Sequence, residues 1–73
     1  MFKVGDLVVG TGKYCGEDLS GMNGRVVYSS HEDVGVVFDV ASKAFHNLDG
    51  RCEDGHGFWC HIKVVKYREV VNV

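Results

Sequence analysis

Val34-Gly35-Val36-Val37-Phe38-Asp39 alternates. At the period of two that a pleated strand imposes, Val34, Val36 and Phe38 share one face and Gly35, Val37 and Asp39 the other, which predicts the first set in the core. The bias continues beyond these residues: 14 valines stand against three leucines, one isoleucine and two alanines. A β-branched side chain gives up χ1 freedom in a helix and packs well on a sheet, so the expected class is all-β. Ten glycines, roughly twice the usual share, and no proline leave glycine to make the turns.

Working outward, a tight turn at His31–Asp33 precedes this strand and a second strand is expected at Gly24–Ser30. Before that lie a glycine-punctuated loop at Thr11–Met22 and a first strand at Asp6–Gly10, where Leu7 and Val9 alternate with Asp6 and Val8. After it come a long excursion at Val40–Gly57, a fourth strand at Gly57–Ile62 and a fifth at Val64–Val71. Phe58, Cys60 and Ile62 should face inward and Trp59, His61 and Lys63 outward; Val65, Tyr67 and Val71 should oppose Val64, Lys66, Arg68 and Val70. The stretch Val40–Phe45 tolerates one helical turn at most. Closing five short strands into a barrel removes the edges a flat sheet would expose, so a small five-stranded SH3-like barrel with one long loop between strands 3 and 4 is the expected architecture.

The chain's 73 residues make one domain, 1–73, with a thin core. A deep catalytic pocket does not fit that size, and no enzymatic activity is expected. The charged residues sum to 8 − 10 = −2, with the cations spread along the chain. That argues against a dedicated duplex binder, whose affinity comes from massed phosphate contacts. Met1–Gly10 has no run long enough for a signal peptide, and three cysteines, an odd count, suit free thiols in the cytoplasm. No membrane association is expected.

Phe2-Lys3-Val4-Gly5-Asp6-Leu7-Val8-Val9 resembles the opening strand of SH3-like, Tudor-like and KOW-type barrels, and Gly21-Met22-Asn23-Gly24-Arg25-Val26-Val27 is similar to the turn and strand that follow. The succession of Val34–Asp39, His46-Asn47-Leu48-Asp49-Gly50-Arg51-Cys52 and Gly55-His56-Gly57-Phe58-Trp59 resembles small phage and prophage proteins. It carries a VGVxFD strand, a His-x-Leu-x-Gly-x-Cys segment and a Gly-His-Gly-aromatic-Trp strand. This resemblance spans about residues 2–68 and implies a fold and a viral origin. A weaker one to CAP-Gly domains rests on Gly35–Asp39; Leu48 interrupts the loop such domains use to hold C-termini.

His46, Cys52, His56, Cys60 and His61 are ligand types, spaced H-x5-C-x3-H-x3-C-H. Structural zinc sites pair ligands two to four apart on a knuckle, and here CxxC is missing while Cys60 should point inward. No metal or cofactor is therefore expected; the quartet His46, Cys52, His56 and Cys60 is the zinc-stabilised alternative. Cys15, beside Tyr14, is the expected exposed thiol, with no histidine placed near it by sequence. Gly10-Thr11-Gly12-Lys13 lacks the helix a phosphate loop needs and reads as a hairpin loop.

The aromatic residues carry the leading functional expectation. Tyr14, Phe45, His46, Trp59 and His61 are expected at the periphery as a surface for another protein or peptide. The acidic loop residues Glu17, Asp18, Glu53 and Asp54 favour a basic partner. The phage resemblance implies a modulator or inhibitor of a host protein such as a defence nuclease. The alternative is a single-stranded RNA or DNA binder, with Lys63, Lys66 and Arg68 flanking Trp59 and His61. A monomer or a homodimer is expected, the tail Val70–Val73 serving as an exposed edge.

Overall fold

The computed structural model describes residues 2–69. The chain is all-β: β1 (Leu7–Gly10), the short β2 (Lys13–Tyr14) and β3 (Glu17–Asp18), β4 (Asn23–Ser29), β5 (Asp33–Phe38), β6 (Gly57–His61), a 3₁₀ turn (Ile62–Val64) and β7 (Val65–Tyr67). Five strands form one antiparallel sheet in the order β6-β5-β4-β1-β7, while β2 and β3 make a separate hairpin inside the expected first loop. Among the described residues no helix is long and apolar enough to cross a membrane. The stretch Val40–Phe45 forms no helix; it turns through Lys43 and Ala44.

The alternation of β5 holds. Val34, Val36 and Phe38 are buried, joined in the core by Val8, Leu19, Val26, Phe45, Phe58, Cys60 and Val65. Each fully buried apolar side chain of this size removes about 1.5–3 kcal/mol of unfavourable exposure to water. In a flat sheet, β6 and β7 would stand roughly 19 Å apart at a strand spacing of about 4.8 Å. The step from His61 to Val65 reaches at most about 14 Å, so the sheet must curl and wrap the core on one face. The expected closed barrel is nonetheless not formed: no ladder joins β6 to β7 among the described residues, and these two strands are the sheet's edges. The 3₁₀ turn consumes the residues expected to continue the fourth strand and open the fifth, so the strands part instead of pairing.

Two inward assignments fail for local reasons. Tyr67 is 55% exposed because β7 ends there, and its ring packs against Phe2 at the rim, with centroids 4.7 Å apart. Ile62 sits in the 3₁₀ turn and is only half-buried against the core. Val71 and the tail Val70–Val73 lie outside the described residues.

The long excursion is more structured than its sequence suggests. Phe45 and Leu48 plug into the protein's interior at 6% and 0% exposure. His46 exchanges two backbone hydrogen bonds with Gly57, at 2.8 and 2.7 Å, and Asn47 O accepts from both Arg51 N and Cys52 N. Leu48 and Asp49 adopt the left-handed region at φ +53° and +58°, a conformation costly for L-residues that neighbouring contacts must hold in place.

Candidate functional site

The outer face of the sheet presents one aromatic cluster. β4 has a register irregularity between Val26 and Tyr28, with Val26 opposite Val36 but Tyr28 opposite Gly35. The extra residue reverses the inward–outward parity and turns Tyr28 to the outside. On the neighbouring strand Trp59 also stands opposite Gly35. A glycine is required between them: a Cβ at position 35 would come 2.7 Å from Trp59 Cζ3 and 3.2 Å from Tyr28 Cβ. The indole therefore lies directly over the β5 backbone, and the tyrosine ring meets it edge-on, with centroids 5.1 Å apart and planes at 90°.

Arg51 completes the cluster from the excursion. Its guanidinium carbon lies 5.2 Å from the Tyr28 ring centroid and 5.6 Å from that of Trp59, within cation–π range of both. Nη1 donates to Leu48 O at 2.9 Å, so the left-handed turn aims the side chain as well as the backbone. His46 lies at the side of the cluster, its ring 6.4 Å from Trp59. Its Nδ1 accepts from Leu48 N at 3.0 Å, so in this arrangement the neutral ring carries its proton on Nε2.

The residues expected to share one surface are divided. Trp59, His46 and His61 lie on the outer side or the edge of β6, half-buried. Tyr14 is on the opposite side, set edge-on to Phe58 at 6.4 Å. Phe45 is core, stacked between Phe38 at 5.4 Å and Phe58 at 5.0 Å, and contributes nothing to an exposed surface. Tyr28 and Arg51 were missed by the sequence reading. The bulge that exposes Tyr28 leaves no mark in the alternation, whereas Gly50 before Arg51 does signal a tight turn.

Of the expected cationic strip, Lys66 and Arg68 lie in and just after β7, at the opposite end of the strand order from the β6 of Trp59, and Lys63 is in the 3₁₀ turn. Arg68 instead joins Arg25, Leu7, Gly24, Val37 and Asp39 around a shallow groove of about 250 Å³. A second, more apolar groove of about 470 Å³ is lined by Phe2, Ser30, His31, Ile62 and Lys63.

The zinc quartet is not assembled. Among the described residues no three His, Cys, Asp or Glu side chains gather as a metal site. Cys60 is buried in the core; His56 Nδ1 donates to Phe38 O at 2.8 Å; Cys52 Sγ faces His46 O at 3.8 Å. Burial, with a smaller contribution from Asp33, pushes the Cys60 thiol up to about 12. The Cys52 thiol is also raised, first by desolvation and then by Asp54 and Glu53. Cys15 is exposed at the tip of the β2–β3 hairpin. Comparison with protein-family models, curated proteins and solved structures finds no match to this chain.

Proposed function

We propose that the protein is a non-enzymatic protein-interaction module, anchored by Trp59, Tyr28 and Arg51 with His46 beside them. The observation that carries this reading is the edge-to-face pair of rings beneath an exposed guanidinium. Trp, Tyr and Arg are the residue types that dominate the energetics of protein interfaces, and these three are fixed before a partner arrives, which lowers the entropic cost of docking. Glu17 and Asp18 in β3 and Glu53 and Asp54 in the excursion favour a partner with a basic surface.

An SH3-like architecture is the finer fold we propose. The strand order β6-β5-β4-β1-β7, the long connection between β1 and β4 and the 3₁₀ turn before β7 support it. By analogy with small phage proteins, the module would serve to occupy a host protein, a defence nuclease among them.

The test is recovery of partners from native lysate by wild type and Trp59→Ala, with and without nuclease, at low and high salt. A protein retained through nuclease and salt, and lost with Trp59→Ala, is the expected result. Partners released by nuclease would overturn the reading in favour of nucleic-acid binding, for which the Arg25 and Arg68 groove is the observation in hand.

A further inference from the structure

Among the described residues the side of β6 turned away from β5 is paired only at its start. Gly57 spends both its N–H and its C=O on His46, away from β5. His56 O accepts from Phe38 N at 2.8 Å, and Ile62 N donates to Glu32 O at 2.9 Å, both toward the β5 side. Antiparallel alternation between these fixed points turns the backbone groups of Phe58 and Cys60 to β5 and those of Trp59 and His61 outward. Among the described residues no backbone group of another strand meets Trp59 or the His61 N–H on that outer side. Among the described residues three strong hydrogen-bonding groups, the N–H and C=O of Trp59 and the N–H of His61, thus lack a backbone partner beside the aromatic cluster, while the His61 carbonyl accepts the first bond of the 3₁₀ turn it caps. Devices that normally blunt such an edge are missing from β6: it holds no proline and no lysine, and its pairing with β5 runs without a bulge.

We infer that the Trp59–His61 edge is a strand-addition site for an extended segment of a partner protein carrying a carboxylate side chain opposite Trp59. This deepens the interaction-module reading and rests on it. Residues opposite one another in a ladder point to the same face with Cβ atoms roughly 5 Å apart. The partner residue facing Trp59 therefore projects onto the outer face, where Arg51 waits. Among the described residues the contacts of Arg51 are the two rings and the Leu48 carbonyl, with no carboxylate among them. An exposed guanidinium held over two rings, with donors beyond the one bonded to Leu48 O, selects a carboxylate. A second copy of this chain fits less well. Symmetric pairing about Cys60 would set His61 of the other copy opposite Trp59 and bring Arg51 an imidazole instead of an acid.

His61 offers a specific test. Its φ of −74° is close to the value proline prefers, and its N–H has no partner among the described residues, so His61→Pro removes one edge donor without loss of a bond to β5. The ring's bond to Lys63 N, 3.1 Å, is lost as well, and His61→Ala controls for it. A displayed library of random nine-residue peptides, selected on the full-length protein, supplies the probe. Expected binders alternate apolar residues around one Asp or Glu. For the best of them, His61→Pro should weaken binding at least tenfold and His61→Ala less than threefold. Arg51→Gln should cost about tenfold, and should cost nothing against the same peptide with its acid changed to the amide. Bound peptide should slow amide exchange at Trp59 and His61, a readout that needs no variant.

No binder, or binders without an acid, would overturn the inference, as would wild-type affinity in His61→Pro with exchange at these two amides unchanged. If Trp59→Ala abolishes binding while His61→Pro leaves it intact, strand addition alone fails and the module reading stands. If neither matters, both fall.

Discussion

Cys60 shows how position sets the chemistry of a side chain. It is 1% exposed among valines and phenylalanines, and its thiolate would be stranded there, which is why its pKa rises to about 12 from an ordinary 9.0. Folding is linked to that shift with a definite sign. Below about pH 9 the thiol is protonated in both states and its contribution is complete; as pH climbs from there toward 12 the unfolded chain releases the proton and the folded one does not, so stability falls. Denaturation followed across that window should show the loss, and Cys60→Val should flatten it. Under native conditions at neutral pH a thiol reagent should modify Cys15 first, Cys52 slowly and Cys60 only on unfolding; rapid labelling of all three would contradict the packing. At this scale the sequence was legible in β5 and β6 but not in β1, where Val8 is buried and Leu7, set with Val9 against it in the alternation, is exposed. Val34, Val36, Phe38, Phe58 and Cys60 were placed correctly because a period of two leaves no choice. Tyr28 was not assigned to the surface, because one inserted residue reverses parity while changing nothing in the hydrophobic pattern.

The elements that escaped sequence reading are those stabilised by distant contacts. Residues 40–56 have no periodicity, yet Phe45 and Leu48 anchor them, and the anchor depends on Gly57. A Cβ there would lie 2.5 Å from Leu48 Cγ, 2.8 Å from Cys52 Sγ and 2.8 Å from His46 O. Because one of those atoms is backbone, the clash cannot be relieved by a rotamer change. Gly57→Ala should therefore destabilise the protein by about 1–3 kcal/mol, which lowers Tm by roughly 10 °C in a domain of this size. It should also pull Arg51 off the rings, since Leu48 holds both. Thermal melting by circular dichroism measures the first effect and NMR of the Tyr28 and Trp59 ring protons the second; an unchanged Tm would mean the loop is less tightly seated than the structure has it. The β2–β3 hairpin was equally hidden, its strands being two residues each and its tip requiring Cys15 at φ +51°.

For the molecule as a whole, stability is concentrated along one axis of the sheet. β5, β4 and β1 are flanked on both sides, β6 and β7 on one, and the β2–β3 hairpin stands apart. Native-state amide exchange should rank them in that order, slowest at Val34 and Val36 and fastest at the hairpin and at Trp59 and His61. Uniform protection would instead mean that the edges are covered. The all-β class followed from valine content alone. The missing closure did not, because whether the two edge strands meet is decided by the three residues Ile62–Val64 adopting a 3₁₀ turn, a preference too local and too short to outweigh a strand-like composition.

Trp59 is the single tryptophan of the chain, and it stands on the face assigned to recognition. The protein is therefore its own optical reporter. Partly wet, resting on the Gly35 backbone and covered by a guanidinium, the indole emits from an environment that docking and unfolding change in opposite directions. A partner that excludes water should shift its fluorescence to the blue and shield it from a soluble quencher, and denaturant should do the reverse. One unlabelled sample in a fluorimeter can then follow both occupancy and folding.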